Sequence, residues 1–393
     1  MPHRHDEVPE RGASRRKSVA AAHGDSRRRR ALRAVCRHPQ SGHWQLAGPA
    51  CRHCESSIRS MSSQPSRLDG LQTRRAVGAP PTHAVAPRAA WTNDGERSNP
   101  FTLRLMTWIS LRLGRRIGRL VLLGVAAYFV LFAPSARRAS RQYLKRVLGR
   151  DANWADGFRH VHCFASTVHD RIYLLNDRSD LFDIRVHGIE HVDAVLAQGQ
   201  GAFLMGAHFG SFEVLRALAR RQGDIPVSLL MYADNARKIN AALHAINPAA
   251  THDIIPLGQV GSMLRLHERL DAGAVVGVLA DRSLHDDATA TLPFLGQPAP
   301  WPRGPLRIAA LLRRPVIFMT GVYHGGNRYD LHFLPLADFS GCKRGERDAA
   351  IDAALARYVA QLQAQCHAAP YNWFNFYDFW QGPTAEAAGP KEL

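Results

Sequence analysis

The sequence predicts an α/β protein with a mostly parallel central sheet flanked by helices, preceded by N-terminal membrane-associated helices. Three observations carry this. From residue 181 onward, short apolar runs of strand length alternate with longer segments of helical spacing. The runs at 202–207 and 274–280 are continuously apolar, as buried strands are. Residues 101–150 join an apolar stretch to 11 basic residues and no acid.

Charge divides the chain into blocks. The formal net charge is +18 over 393 residues, with 51 Lys+Arg against 33 Asp+Glu. Residues 1–90 carry 17 basic and 6 acidic side chains, and 101–150 add the 11 unbalanced ones. The rest is mildly acidic, so the basic footprint of a nucleic-acid binder is missing from the body, and no nucleic-acid partner is expected. Residues 1–90 have the composition of a disordered basic extension, including Arg27 to Arg30 in a row. Later methionines, Met61 and Met106, leave open a mis-assigned start, and the charged opening is not followed by a signal-peptide apolar region. Cys51 and Cys54 there imitate half of a zinc site, but no second pair completes it, so no metal is expected.

Residues 91–150 read as amphipathic, membrane-associated helices. The uncharged run 120–133 has 14 residues, short of the ~20 that a spanning helix needs. Arg112, Arg115, Arg116 and Arg119 precede it; Arg137, Arg138 and Arg141 follow it. A basic, apolar helical hairpin of this kind suits the surface of an anionic membrane, with Trp108, Tyr128 and Phe132 near the interface. The plainer alternative is a buried helix with solvated basic flanks.

Residues 151–380 form the expected catalytic domain, followed by a tail at 381–393. His160, His162, His169 and Asp170 make a dense patch on a helix, read as a polar face rather than a metal site. Strands are expected at 184–186, 202–207, 226–231, 252–256 and 274–280, then as a pair at 315–323 and 329–334. Helices are expected at 191–198, from near Ser211, and at 236–246, 262–271, 306–312 and 347–367. The span between 281 and 306 reads as loop. His285, Asp286 and Asp287 imitate a metal cluster there but read as a polar surface loop.

The chemistry-bearing stretch is 201–213, GAFLMGAHFGSFE. A buried strand empties into His208, and Glu213 follows after four residues, in the first turn of the next helix. Ligands in parallel sheets gather at the carboxyl ends of strands, where both His208 and Asp281 fall. The spacing suits a general base whose tautomer and cationic form are supported by a carboxylate. The bland alternative is a hydrogen-bonded histidine beside a glutamate placed by the helix dipole. Ser211 lacks the G-x-S-x-G setting of a hydrolase nucleophile.

His208 to Glu213 resembles the HX4(D/E) box of the lysophospholipid acyltransferase superfamily. Within it, the chain resembles the bacterial lipid A biosynthesis (late) acyltransferases. Gly273 to Arg282 is similar to the second box of that branch, while Phe294 to Gly296 and Gly304-Pro305 resemble the loop and helix start that follow. Pro370 to Trp380 occupies the place of its aromatic ending. The resemblance covers residues from about 91 to 380. It implies acyl transfer from an acyl-carrier-protein or acyl-CoA thioester to a hydroxyl or amine of a lipid acceptor at the cytoplasmic face of the bacterial inner membrane. No cofactor is implied.

In that reading His208 is the base, Glu213 its orienter, and the amides near Gly210 and Ser211 receive the oxyanion. Asp281 and Arg282 support or position substrate, or form a plain buried pair. Arg303 meets a phosphate or the carrier's phosphopantetheine, or is a solvated loop residue. The aromatics 373–380 wall an acyl tunnel, face the bilayer, or close the core. Two departures bear on the acceptor. Asn375, Tyr377 and Asp378 replace a basic ending, and an arginine expected between the two boxes is missing, with Asn247-Pro248 near its place and Arg237 the nearest arginine. A less anionic envelope lipid, as in the aryl-polyene-associated branch, is therefore expected over lipid A itself. A catalytically inactive lipid-binding subunit is the alternative of another class.

Overall fold

Strand β2 (Ala202–Gly206) is buried at every residue and lies mid-sheet. In this computed structural model, which describes residues 100–221, 226–247, 253–282 and 288–380, seven strands form one sheet. They are β1 (Asp183–His187), β2, β3 (Val227–Tyr232), β4 (Asp253–Leu257), β5 (Val275–Leu279), β8 (Pro315–Tyr323) and β9 (Arg328–Asp338), in the order β1-β9-β8-β2-β5-β3-β4. Every neighbouring pair is parallel except β8–β9. That pair is joined by the short turn 324–327, which allows only an antiparallel return. Continuous apolar runs become strands buried on both faces because helices cover the sheet on either side. The nine residues of β8 are all buried.

The flanking helices are α3 (Trp154–Leu175), α4 (Ile189–Leu196), α5 (Glu213–Arg221), α6 (Ala233–Ile246), α7 (Ser262–Asp271), α8 (Gly304–Leu311) and α9 (Arg347–Ala368). Helix α3 starts on a capping box: the Asn153 side chain accepts from the Asp156 N–H, and the Asp156 carboxylate accepts from the Asn153 N–H. Its histidine patch is not a solvated face. His160 is fully buried, and His169 packs so closely on Gly118 that a Cβ there would lie 2.3 Å from Nε2. Asp170 accepts from Arg115 at 2.7 and 2.6 Å and from the Tyr329 hydroxyl at 2.8 Å.

The span expected to be loop contains a hairpin, β6 (Thr289–Phe294) and β7 (Gln297–Pro302), turning through Leu295 and Gly296, both at positive φ. Prolines at 298, 300 and 302 hide it in the sequence. In the strand they fall at every second position, so they can sit where the ladder uses no N–H.

Two helices precede the sheet: α1 (Pro100–Phe132), kinked at Gly114 with φ 81°, and α2 (Pro134–Leu148). They meet at a 95° bend rather than as a hairpin. No single helix among the described residues is long and apolar enough to cross a membrane; the bent pair passes by length and composition alone. Leu122, Ala126 and Val130 turn one stripe of α1 inward. Leu120, Val121, Leu123, Tyr128, Phe129, Leu131 and Phe132 stay exposed. The basic extension at 1–90, the Cys51/Cys54 pair, His285 to Asp287 and the tail 381–393 lie outside the described residues.

Candidate functional site

Two strand ends meet at the site. His208 follows β2 and Asp281 follows β5, which pair in register from Ala202–Val275 to Gly206–Leu279. Equal register carries both chains to the same edge of the sheet. There the Asp281 carboxylate accepts three bonds: the His208 N–H to Oδ2 at 2.9 Å, His208 Nδ1 to Oδ1 at 2.8 Å, and the Trp373 indole N–H to Oδ2 at 3.0 Å. Asp281 is buried, while the His208 side chain stays 32% exposed. A carboxylate on Nδ1 places the proton there, leaving Nε2 as the basic nitrogen.

Electrostatics keep the imidazole neutral. Burial pushes the His208 pKa below its ordinary value, the Arg282 charge adds to this, and Arg171 contributes a smaller push; Asp281 opposes them. Burial alone would raise Asp281, but His208 and Arg282 hold it down to about 2. The pair therefore rests as neutral imidazole and carboxylate, the ground state of a general base and its orienter.

The sequence assigned that orienting role to Glu213, and the geometry differs. Helix α5 begins at Glu213, whose buried carboxylate meets Arg216 Nη1 at 3.2 Å and Arg171 Nε at 3.8 Å. Arg216 lies one turn along the same helix, and Arg171 comes from α3. Five residues on from His208, the glutamate is engaged with these two arginines, while Asp281 holds the imidazole Nδ1.

The oxyanion expectation is corrected as well. The Gly210 N–H donates to the Asn372 carbonyl and the Ser211 N–H to the Gly321 carbonyl, each at 2.8 Å. Both amides are spent in holding the loop. The loop crosses β8 so closely that a Cβ on Gly210 (φ 62°) would lie 1.8 Å from the Gly321 oxygen. One on Gly321 would lie 2.3 Å from the Ser211 oxygen. Gly277 in β5 serves similarly, since a Cβ there would stand 2.3 Å from the Phe212 ring.

The aromatic ending closes the core and holds the site. Trp373 pairs with Phe209 in an isolated antiparallel bridge, and the Phe374 N–H donates to the His208 carbonyl at 2.7 Å. The Asn372 side chain accepts from the Tyr323 N–H and donates to its carbonyl. Behind it, His160 bonds Ser140 through Nδ1 and the Trp373 carbonyl through Nε2, both at 2.8 Å. Trp373 packs edge-on against Phe294, Tyr143 and Phe379.

Arg282 donates to the Phe374 carbonyl at 3.2 Å and lies 5.4 Å from the Tyr377 ring centre. The Arg303 guanidinium meets Asp352 at 2.8 Å and Asp348 at 3.6 Å, tying the start of α8 to α9 rather than standing as a solvated loop residue. Sequence reasoning missed the bond from Trp373 to Asp281 and the ion pair of Arg171 with Glu213. An asparagine–tryptophan step in an aromatic ending was the only signal for the first.

A histidine–aspartate pair at the carboxyl edge of a parallel sheet defines an α/β protein equipped for general-base chemistry. The family model of the bacterial lipid A biosynthesis acyltransferases matches residues 102–381, and the chain belongs to that family. It is also similar to the phosphatidylinositol mannoside acyltransferases of Mycobacterium tuberculosis strains ATCC 25618 / H37Rv and CDC 1551. Each is 27% identical over 207 residues, covering 51% of this chain and 61% of the relative. The chain thus spans less than two thirds of the length of these curated relatives.

Proposed function

We propose that the protein transfers an acyl group from a carrier-protein or CoA thioester to a hydroxyl (or amine) of an envelope glycolipid. His208 Nε2 takes the acceptor proton as the acceptor oxygen attacks the thioester carbonyl. The carbon–sulfur bond then breaks, and the leaving thiolate recovers the proton from the imidazolium. Asp281 holds Nδ1 and stabilises that imidazolium. With the Gly210 and Ser211 amides already bonded, the positive charge of Arg282, whose field acts on His208, is the support assigned to the developing oxyanion. The observation that carries the reading is the His208–Asp281 bond at 2.8 Å in a chain of this family.

Reaction at a membrane surface is the second part of the proposal. Along its length α1 exposes Leu120, Leu131 and Phe132 as well as Arg112 and Arg116, a combination that partitions to an anionic bilayer interface. For the acceptor, the mannoside named for the relatives and the loss of basic residues at 375–378 favour a sugar lipid less anionic than lipid A. The test offers purified protein an acyl-carrier-protein thioester with either a lipid A precursor or a phosphatidylinositol mannoside, and products are read by mass spectrometry. Acylation of the mannoside that disappears in His208→Ala is expected. Turnover of the lipid A precursor alone would instead mark a true lipid A late acyltransferase.

A further inference from the structure

The edge of the sheet farthest from β4 carries a cluster that the acyl-transfer reading does not use. His187 of β1 stands opposite His332 of β9 in the parallel register, and their rings stack at 4.7 Å with 14° between planes. Asp330, two residues before His332, projects to the same side of β9. One ligand atom from each of His187, Asp330 and His332 lies within 4.8 Å of the others. A third imidazole joins from the β8–β9 turn: His324 Nε2 is 3.2 Å from Asp330 Oδ2, and His187 Nε2 is 3.6 Å from the same oxygen. The other carboxylate oxygen, Oδ1, is buried with no hydrogen-bond partner. Three imidazoles and one carboxylate, with an orphaned buried oxygen among them, are more than a pleated edge needs.

We propose that His187, His324, His332 and Asp330 bind a divalent transition-metal ion, zinc above all. Nitrogen-rich sets with one carboxylate suit tetrahedral zinc, with cobalt and nickel as weaker substitutes. Neutral imidazoles and one carboxylate leave a single net positive charge on the loaded site. Tetrahedral binding needs ligand atoms about 3.3 Å apart, which follows from bonds of about 2.0 Å. The stacked rings must therefore swing toward one another. His187 is 50% exposed and His324 30%, so both have solvent beside them into which to turn. The ion would tie the edge strand β1 to β9 and to the turn 324–327. That turn also holds α1, because Arg115 and Arg119 donate to the Gly326 carbonyl at 2.5 and 2.7 Å. The site is thus structural, two strands away from His208, and independent of the reaction.

The experiment uses the full chain with Cys51 and Cys54 changed to serine, removing the competing thiol pair. After equilibrium dialysis against zinc, bound metal is counted in this background and in added His332→Ala, His187→Ala and Asp330→Asn. His267→Ala, which removes an exposed histidine paired with Asp271 at 3.4 Å, is the control. One ion per chain is expected to be lost in each of the three cluster variants and none in the control. Cobalt should give the visible spectrum of a tetrahedral site in the background protein only. Zinc should raise the melting temperature of the background protein but not of His187→Ala, a half-exposed edge position where misfolding is the least concern. Equal zinc content across all variants, or an equal loss in the His267 control, would overturn the proposal and leave the cluster as histidine–aspartate ion pairs.

Discussion

Replacing Asp281 by asparagine tests the site most sharply, because shape is kept while one acceptor becomes a donor. Two of the three bonds to Asp281 fall on Oδ2, from the His208 N–H and the Trp373 indole, and one falls on Oδ1. The amide oxygen will take the Oδ2 position, since the reverse leaves two buried donors facing an NH2 group at about 1–3 kcal/mol each. The NH2 then points at His208 Nδ1. It can only donate, so the imidazole must accept at Nδ1 and carry its proton on Nε2, the nitrogen that should take the acceptor's proton. A wrong tautomer of this kind costs about 10⁴-fold in turnover in a triad of the same logic. Charge-assisted bonds are also lost, so stability should fall by about 2 kcal/mol without loss of fold. The assay is thiol release from an acyl-carrier-protein thioester with acceptor present, alongside nitrogen NMR of the His208 ring. The reasoning fails if Asp281→Asn keeps turnover within about tenfold of the parent, a factor worth only ~1.4 kcal/mol, or if Nδ1 still carries the proton.

Further outcomes are expected. His208→Ala should lower transfer by about 10²-fold or more with the circular dichroism spectrum unchanged. Glu213→Gln should combine with Asp281→Asn nearly additively in kcat, because the Glu213 carboxylate is engaged with Arg216 and Arg171 while Asp281 holds His208; strong non-additivity would restore Glu213 as a direct partner. Trp373→Phe removes one donor to Asp281, making the carboxylate more basic, so kcat should fall while the acid limb of the pH profile moves upward; a KM effect alone would contradict a positioning role. In the parent protein that limb should lie below the ordinary histidine value of 6.5, since His208 is depressed and the neutral form is the active one. Asp281, ordinary at 3.8 and held at about 2, should contribute stability above pH 4 that is lost as pH falls toward 2, as acid unfolding would report. Finally, Leu120→Glu with Phe132→Glu should shift the protein from anionic vesicles to the supernatant in a flotation assay; unchanged binding would make the exposed face of α1 irrelevant to membranes.

The family and the position of His208 were legible in the chain because both rest on local pattern. A continuous apolar run makes a buried strand, and the residue leaving it falls at the carboxyl edge wherever that strand sits. His208 and Asp281 were therefore expected at that edge from sequence alone, though not as partners of one another. Glycines 210, 277 and 321 make a second point. Each stands where a backbone or ring approaches closely, yet only the tertiary structure reveals which neighbour excludes a Cβ.

What the sequence determined by itself was periodic: strands, helices, the blocks of charge and the order of the boxes. Which carboxylate reaches the imidazole was decided by tertiary structure. Glu213 is near His208 in the chain, but α5 turns it toward Arg216, whereas Asp281 is 73 residues away and arrives through the register of β5 on β2. The same holds for Trp373, 92 residues beyond Asp281, and for the amides of Gly210 and Ser211, claimed by distant carbonyls. Spacing along a chain reports local geometry. A hydrogen bond is set by distance in space, and only the packed sheet brings its two ends together.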